Sequence, residues 1–346
     1  MTHSLNTMLS VAACADILAA GGLVAFPTET VYGLGADAGN DAAVAQIFAA
    51  KGRPADHPLI VHVFDADSAD YFAASMSEFA RKLIAAFWPG PLTIIVPRKE
   101  GVAAASAGGQ NSIGLRCPSH PMALELLRAC AERGVMGLAA PSANKFGKVS
   151  PTTAQHVRDE LGSTLAVLDG GACSVGIEST IIDCTRGAPV LLRPGVLQPQ
   201  QIEVAMGCKL LLNEELAAQY SSRLTAENAL NSTPQAAPRA SGTLESHYAP
   251  NARVRVMDAK ALQTALDLLG QDAANIAVYS RAILVSKSER IIRRRMPDDA
   301  LATAQQLFAV LREFDAQAVK LIWIETLPPD AAWDGVRDRL QRAAAS

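Results

Sequence analysis

The 346-residue sequence has few aromatic residues, only 5% of the chain, and its formal net charge is only −3. The first shortage argues against a single-stranded nucleic-acid surface built from stacked rings. The second means that bulk charge does not attract polyanions or anionic membranes. No apolar run reaches transmembrane length, and the N-terminus lacks a basic segment followed by a long apolar one. The sequence therefore predicts neither a membrane span nor a secretory signal.

The six cysteines form no C-x-x-C pair, which argues against a zinc knuckle and a thioredoxin-type motif. Cysteines scattered along a chain of this length are typical of reduced, buried thiols in the cytosol. Apolar residues make up 49% of the chain, which is enough for one large or two modest globular domains. We therefore expect a globular, cytoplasmic protein.

Several common catalytic and phosphate-binding motifs are also absent. Residues 171–176 have the glycine spacing of a P-loop, but Ile177 stands where that loop needs its lysine. Gly33 and Gly35 lack the third glycine of a dinucleotide-binding G-x-G-x-x-G, and H-E-x-x-H does not occur. The S-x-x-K match at residues 142–145 lacks the S-D-N and K-T-G elements, so we interpret it as accidental.

Short β-rich runs alternate with helical stretches through the first two-thirds of the chain, which predicts an α/β fold with a mixed sheet. Residues 221–242 are rich in Ser, Ala, Asn, Thr and Pro and predict an exposed linker. A second α/β pattern then predicts a small open-sheet unit, in which the basic run at residues 290–295 is a solvated face. We expect three parts, residues 1–208, 209–252 and 253–346. Predicted strands lie at 22–25, 59–63, 92–96, 113–116, 137–140, 165–168, 177–182, 190–192, 253–257, 276–279 and 321–325, and predicted helices at 7–20, 40–50, 76–87, 121–133, 153–161, 259–269, 299–314 and 331–344.

The most informative segment is F-P-T-E-T-V-Y-G-L-G at residues 26–35, which directly follows the first predicted strand. It brings together two hydroxyls, a carboxylate, a phenol and two glycines, and the next predicted helix ends at K-G-R-P, residues 51–54. Glycines let a backbone approach a ligand, while hydroxyls and cations bind anionic oxygens. The combination predicts an anion or nucleotide site, although Lys51 and Arg53 alone are typical of cations that end a helix.

Polar side chains also stand at the ends of other predicted strands. Ser142 and Asn144 fit ligand contacts at a strand's carboxyl end and an Asx-type turn equally well. The polar residues 178–180 fit either a site or a solvated edge strand. Arg193, taken alone, is typical of a surface arginine before a turn.

Two further side chains emerge from apolar strand patterns. Arg116 ends such a strand and therefore needs an anionic partner, which either the protein or a ligand could supply. His62 alternates onto the face opposite Val61 and Val63 and is a better candidate than His57, although a lone histidine is more often structural.

Each cluster alone is a weak indication, but together they place cations and hydroxyls at or just beyond strand ends. No Ser-His-Asp or Cys-His pairing stands out as a nucleophile. A pocket of this composition suits phosphoryl or nucleotidyl transfer between bound substrates, where positioning and charge stabilisation dominate catalysis. The residues are Lys51, Arg53, Arg116 and Arg193, with Thr28, Thr30, Ser112, Ser142, Ser179 and Thr180.

The order of these motifs closely resembles the YrdC-like L-threonylcarbamoyladenylate synthases. The resemblance covers residues 9–206 and rests on P-T-E-T-V-Y-G-L-G, K-G-R-P with H-P-L-I-V-H, W-P-G-P-L-T, G-L-R-C-P, A-P-S-A-N, G-I-E-S-T-I-I-D and L-R-P-G. Residues 241–250, S-G-T-L-E-S-H-Y-A-P, resemble the linker motif of the long, two-domain members. Many of those have Gly-Met-Lys-Tyr in this linker, where this chain has Gly-Thr-Leu-Glu-Ser, so the resemblance implies no lysine contact here.

The resemblance implies a YrdC-like open, twisted mixed sheet and a smaller Rossmann-like α/β domain. It implies that L-threonine, bicarbonate or CO2, and ATP with Mg²⁺ give threonylcarbamoyl-adenylate and pyrophosphate, for transfer to tRNA by downstream threonylcarbamoyl-transfer proteins. No metal ligand is assigned, and Tyr248 is expected to close over the nucleotide. The implied ATP contacts are Lys51, Arg53, Ala55, Ser112, Ser142, Asn144, Ser150, Arg193 and Tyr248, and the implied threonine contacts are Thr28, His62, Arg116, Ala140, Ser179 and Thr180. Lys51 and Arg53 are the implied catalytic residues.

Two other functions remain open on the sequence. A YrdC-like domain could bind double-stranded RNA or tRNA through a local basic face without chemistry, although the net charge disfavours this. A carbamoyl-phosphate-using transferase is the second alternative, but its expected acylphosphatase and zinc-finger regions are missing.

Overall fold

The computed structural model describes residues 9–212, 237–244 and 246–345. The predicted helix at 7–20 therefore has its first two residues outside the described part, as do residues 213–236, which hold most of the predicted linker at 221–242. In the described residues no helix is long and apolar enough to cross a membrane.

Ten strands form one mixed sheet in the order β10-β9-β8-β4-β5-β3-β6-β2-β1-β7. Antiparallel pairs such as β4–β5 and parallel pairs such as β3–β5 and β4–β8 occur side by side. The predicted mixed α/β sheet is thus confirmed. Its strands are β1 (Val24–Phe26), β2 (Gly33–Asp37), β3 (Ile60–His62), β4 (Leu92–Pro97), β5 (Ser112–Arg116), β6 (Leu138–Ala139), β7 (Ala166–Val167), β8 (Thr180–Asp183), β9 (Val190–Arg193) and β10 (Leu211–Leu212).

The helices that pack around this sheet begin and end at capping residues. In α2 the Asn40 side chain accepts the Ala43 N–H at the start, and Gly52 adopts a left-handed φ of 63° after the last residue, Lys51. The end of α2 therefore places Lys51 and Arg53 beside the sheet. The helices are α1 (Val11–Ala19), α2 (Asp41–Lys51), α3 (Ala66–Ala69), α4 (Glu78–Phe87), α5 (Pro121–Ala131), α6 (Ala154–Leu161) and α7 (Pro199–Met206).

Helices α3 and α7 and strand β10 were not predicted, and two further differences from the structure lie beside the predicted site. Strand β2 was not expected, because its glycines made the segment look like a turn. A β-carbon at Gly35 would lie 2.8 Å from the Phe26 ring, so the glycine lets β2 pair closely with β1. The strand predicted at 177–182 begins only at Thr180, because Ile177 packs into the core of the C-terminal unit instead.

The C-terminal unit is a four-stranded parallel sheet in the order β11-β14-β12-β13. Apolar residues of its last two helices, including Phe308 and Leu340, fill the core on one face, and Leu266 packs on the other. The basic run at residues 290–295 includes β13, an edge strand whose arginines are exposed. The predicted solvated face is therefore the charged edge of this sheet. The elements are β11 (Arg253–Met257), α8 (Ala259–Leu268), β12 (Ile276–Ser280), β13 (Ile292–Arg295), α9 (Ala300–Ala316), β14 (Leu321–Glu325), a 3₁₀ turn (Ala331–Trp333) and α10 (Asp334–Ala344).

Candidate active site

A cavity is lined by side chains from widely separated segments of the chain. Eleven of the fifteen predicted site residues line it, together with backbone and side chains of the segment around Ser241. The sheet and α2 therefore bring most of the predicted site together. The eleven are Thr28, Lys51, Arg53, His62, Arg116, Ala140, Ser142, Asn144, Ser179, Arg193 and Tyr248.

Four predicted site residues lie outside the lining. Ala55 is exposed after the end of α2, and Ser112 borders a smaller adjoining cavity that Ser241 also lines. Ser150 is buried behind the wall, where its hydroxyl donates to Glu178 Oε1 at 2.5 Å. Thr180 is buried, and its hydroxyl has no hydrogen-bond partner among the described residues.

Lys51 is held at the floor of the cavity by the loop at residues 141–144. Its ammonium donates to the Ser142 carbonyl at 2.5 Å and also to the Asn144 carbonyl. Burial, reinforced by the nearby Arg53 charge, holds the pKa of Lys51 well below its usual range. Among the described residues its hydrogen bonds go to these carbonyls and not to a carboxylate, so the cost of burying its charge is largely uncompensated.

Arg53 and Arg193 approach the cavity from two different elements. Arg53 Nη2 donates to the Pro58 carbonyl at 3.0 Å, and its guanidinium stands 5.5 Å from the centroid of the Phe146 ring. Arg193 Nε and Nη2 donate to the carbonyl and hydroxyl of Ser179 at 3.0 and 3.1 Å. Burial is the main cause that lowers the pKa of Arg53, to about 10, and it also lowers that of Arg193.

Arg116, Thr28 and His62 also line the cavity. Arg116 Nη2 lies 2.7 Å from Glu29 Oε1, and both side chains are less than a tenth exposed. The Thr28 hydroxyl donates to the Val31 carbonyl at 2.6 Å and contacts the Thr30 hydroxyl, so these residues build the turn. Burial, followed by the charge of Arg116, lowers the pKa of His62 to about 3, so this imidazole is neutral.

A strap, here residues 237–244 with 246–248, crosses the mouth of the cavity. Ser241 accepts the Arg193 Nη1–H on its carbonyl at 2.8 Å, and its hydroxyl lies 3.3 Å from Arg53 Nη2. Tyr248 is 1% exposed and has a left-handed φ of 62°, which is uncommon for a bulky residue. The strap thus occupies donor groups of two predicted ATP-binding arginines.

Unpaired polar atoms concentrate around this cavity. Besides Arg116 Nη2, which is ion-paired with Glu29 Oε1, five of its lining residues carry a buried side-chain atom without a hydrogen-bond partner in the described structure. Buried polar atoms are normally paired, so such a cluster indicates a site that is built for a ligand. The atoms are Arg53 Nε, His62 Nδ1, Asn144 Oδ1, His247 Nδ1 and Tyr248 Oη.

Sequence reasoning missed several residues of the site. Glu29 and Glu178 were not among the predicted site residues, although both lie inside quoted motifs. Phe146 and His247 also line the cavity, with their rings 6.2 Å apart. The H-Y pair of the linker motif was the available signal for His247.

Gly242 lies where the strap passes closest to the site, and this gives a stability prediction. It has a φ of 73°, and a β-carbon there would lie 2.4 Å from Tyr248 Oη and 2.7 Å from Arg193 Nη1. We expect Gly242→Ala to cost about 1–2 kcal/mol of left-handed strain and about 1–3 kcal/mol of overpacking. Urea unfolding measures the sum.

Gly207→Ala is the matched control, because Gly207 has a φ of 74° and a β-carbon there would meet nothing within 4 Å. It should show the strain without the overpacking. If both variants lose the same free energy of unfolding, Tyr248 and Arg193 move aside without cost and do not hold the strap in place.

The metal-ligating side chains of the described residues do not form a metal site. Among residues 9–212, 237–244 and 246–345, no three His, Cys, Asp or Glu groups converge to hold an ion. Glu29 and Glu178 face the site region but are engaged by Arg116 and Arg339. The described residues therefore do not form a protein cage for a divalent cation.

Comparison with known proteins agrees with this architecture. A family model described as "Telomere recombination" matches residues 16–195, and one described as "Threonylcarbamoyl-AMP synthase, C-terminal domain" matches residues 200–345. The threonylcarbamoyl-AMP synthase of Bacillus subtilis is 35% identical over 342 residues, covering 96% of this chain and 92% of the relative. The Pyrococcus abyssi synthase is 35% identical over 337 residues, covering 95% and 92%. The crystal structure of P. abyssi Sua5 complexed with L-threonine has a TM-score of 0.82 at 34% identity, covering 96% of this chain and 94% of that one.

The fold and the cation-lined cavity define a two-domain α/β enzyme of the nucleotidyltransferase type. The chain belongs to the threonylcarbamoyl-AMP synthase family, in its long form. An enzyme of this family therefore takes precedence over the RNA-binding module and the carbamoyl-phosphate-using transferase.

Proposed function

We propose that this protein forms threonylcarbamoyl-adenylate and pyrophosphate from L-threonine, bicarbonate or CO2, and ATP. The observation that carries the proposal is the convergence of Lys51, Arg53, Arg193 and Arg116 on one cavity. Three of these cations suit a triphosphate, and the fourth, Arg116, is paired with Glu29. The relative crystallised with L-threonine supports threonine as the second substrate.

We assign the ATP phosphates to Lys51 and Arg53, with Arg193 also on the nucleotide. Ser142 and Asn144 form the loop that holds Lys51, which supports their role beside the phosphates. Because Ser241 contacts both arginines, ATP must displace these strap contacts or share them. Ala55, Ser112, Ser150 and Tyr248 complete the proposed nucleotide contacts.

We assign the threonine carboxylate to Arg116, because a guanidinium matches a planar carboxylate with two parallel hydrogen bonds. Glu29 then fixes the other edge of that guanidinium, which supports its orientation. His62 contributes polarity without another charge, since its pKa of about 3 keeps it neutral. Thr28, Ala140, Ser179 and Thr180 are the remaining proposed threonine contacts.

In the proposed mechanism the neutral threonine amine attacks CO2, forming a C–N bond, and the nitrogen releases one proton to solvent to give a carbamate. A carbamate oxygen then attacks the α-phosphorus in line, and the bond to the bridging oxygen breaks with release of pyrophosphate. Lys51 and Arg53 stabilise the charge that develops on the leaving group, an effect typically worth several kcal/mol. The protein supplies orientation and charge, and no covalent enzyme intermediate is needed.

Mg²⁺ enters this proposal as part of the ATP substrate. A small hard cation commonly stays on phosphate oxygens and waters with few protein ligands. That agrees with the absence of a three-residue donor cluster in the described chain. We assign no step of the mechanism to a protein-bound metal.

The setting of the reaction is also proposed. The product is a labile mixed anhydride, so we infer that downstream threonylcarbamoyl-transfer proteins take it to tRNA, with direct tRNA or double-stranded RNA contact as a further proposal. All six cysteines lie in the described residues as free thiols, which supports a cytoplasmic location.

We further propose residues 1–208 as the catalytic domain, 209–252 as the linker and 253–346 as the C-terminal domain.

The test is pyrophosphate release from ATP by the full-length protein in the absence of RNA. We expect release that requires both threonine and bicarbonate, because the carbamate is the nucleophile. Omitting either substrate is the internal control, since plain ATP hydrolysis would persist without it. Release that is indifferent to threonine would contradict the proposal.

A further inference from the structure

Arg339, on helix α10 of the C-terminal unit, is a cation with no solvent exposure. Its Nε donates to Glu178 Oε2 at 2.8 Å and its Nη2 to the Glu178 carbonyl at 3.1 Å. Its Nη1 donates to the Pro194 carbonyl at 3.0 Å and to Asp338 Oδ2 at 2.6 Å. A C-terminal side chain therefore holds two segments that flank the catalytic cavity.

The same guanidinium also supports the strap. Its central carbon stands 5.3 Å from the centroid of the Tyr248 ring, and Phe308 of helix α9 stacks on that ring at 5.4 Å. The neighbouring His247 N–H donates to the Arg342 carbonyl at 3.3 Å. Because the left-handed backbone of Tyr248 is strained, it needs such packing to persist.

The buried charge of Arg339 is balanced by acidic neighbours. Burial lowers the pKa of Arg339, but Tyr248, Glu178 and Asp338 together raise it above its ordinary value, so the side chain remains a cation. Burial raises the pKa of Glu178, yet Arg339 and Arg193 bring it below its ordinary value. The network therefore stays ionised at neutral pH and can hold one geometry.

The backbones of the two units also meet without room for side chains. A β-carbon at Gly335 of helix α10 would lie 2.4 Å from the Gly195 carbonyl oxygen, and one at Gly176 would lie 2.4 Å from Gln305 Cα. Gly195 and Gly176 belong to the same segments that contain Pro194 and Glu178. Arg339 thus acts across a close and well-defined contact.

We propose that Arg339 is a positioning residue, which completes the active site from the C-terminal unit by holding Glu178 and Tyr248 against the nucleotide side of the cavity. This inference rests on the proposed function. Arg339 does not contact Thr28, His62 or Arg116, and it reaches the proposed threonine contacts Ser179 and Thr180 only through the preceding Glu178. We therefore expect its loss to lower turnover more than threonine affinity. It gives the C-terminal unit a specific task in the reaction.

The test compares Arg339→Met with Arg337→Met in the full-length protein. Arg337 lies on the same helix and pairs with Asp334 away from the cavity, so it controls for loss of one arginine. We expect kcat for pyrophosphate release to fall about 100-fold in Arg339→Met, the effect of a displaced active-site group. The Kd for L-threonine, measured by calorimetry without ATP, should stay within twofold in both variants.

Two further variants keep the test decisive if Arg339→Met does not fold. Arg339→Lys retains the charge but cannot bridge Glu178, Pro194 and Asp338 together. Phe308→Leu removes the ring that stacks on Tyr248 and leaves no buried charge unpaired. Both should lower kcat at least tenfold with unchanged threonine affinity. In a Tyr248→Ala background, the additional loss from Arg339→Lys should shrink below threefold, because the two residues act together.

The outcomes separate the two proposals. A wild-type protein without threonine-dependent pyrophosphate release would overturn the proposed function. A wild-type protein that is active, with Arg339 and Phe308 variants as active as Arg337→Met, would overturn the positioning role alone. Parallel loss of turnover and threonine binding would show a purely structural role and would also overturn it.

Discussion

Replacing Lys51 by alanine lowers the rate of threonine- and bicarbonate-dependent pyrophosphate release by about 10²–10³-fold, the usual cost of removing one preorganised donor. The physical reason is that Lys51 is buried at the cavity floor, where a charge on the leaving group is poorly screened. Steady-state kinetics with saturating ATP measure the loss in kcat, which separates it from weaker binding.

The same substitution changes the free energy of unfolding little, because two effects oppose each other. Burial of the amine lowers its pKa, so bringing it into the fold has a cost that alanine removes. The Ser142 and Asn144 carbonyls lose their hydrogen-bond donor, and this loss lowers the free energy of unfolding. Urea unfolding of Lys51→Ala checks this balance.

Lys82→Ala is the control for loss of a lysine. Lys82 is about half exposed, pairs with Glu78 on helix α4 and does not line the cavity. It should retain full turnover. Pyrophosphate release at the wild-type rate in Lys51→Ala would remove Lys51 from the catalytic machinery.

Arg116→Met is expected to lower the free energy of unfolding by about 3–5 kcal/mol, because it leaves the Glu29 carboxylate buried without its cation. The two side chains are only 4% and 6% exposed, so water cannot replace the lost partner. The Ser119 N–H remains as a donor to Glu29 Oε2 at 3.1 Å and compensates only in part. Chemical denaturation at neutral pH measures the loss.

A double variant separates the structural role of Arg116 from its proposed binding role. Glu29→Gln combined with Arg116→Met removes both charges and should recover at least half of the lost stability. It should not recover threonine binding, because the carboxylate of threonine needs the guanidinium. If the double variant binds threonine like the wild type, Arg116 does not hold the substrate.

Arg133→Met provides the comparison for an exposed ion pair. Arg133 Nε lies 2.7 Å from Asp16 Oδ1, but the two side chains are 30% and 68% exposed. Solvent screens such a pair, so its loss should cost less than about 1 kcal/mol. A loss as large as that of Arg116→Met would show that burial does not explain the difference.

The sequence alone predicted three of the four strands of the C-terminal unit, and missed β13 in the basic run. The strands at 253–257 and 321–325 have the observed bounds, because short apolar runs between turn residues are local patterns. The end of α2 followed likewise from the lysine and glycine at residues 51 and 52, since capping acts within a few residues. Neither prediction needed information about distant parts of the chain.

The sequence also determined which motifs belong together, because their order matched one family. Eleven of the fifteen predicted site residues share the cavity, although their individual roles stay predictions. Thr28 illustrates the difference, because its hydroxyl also builds the turn at residues 28–31. A motif fixes residue types, while each hydrogen-bond partner depends on the folded geometry.

Only the tertiary structure decided the pairing of the buried charges and the position of the strap. The sequence left open whether Arg116 faces protein or ligand, and the fold places Glu29 beside it. It also gave no indication that Arg339 would hold Glu178, 161 residues away, or pack on Tyr248. Each arginine has many possible acidic partners along the chain, and long-range packing of two units selects one. Local patterns thus determined the elements and the family, whereas burial between distant segments determined how the site is assembled.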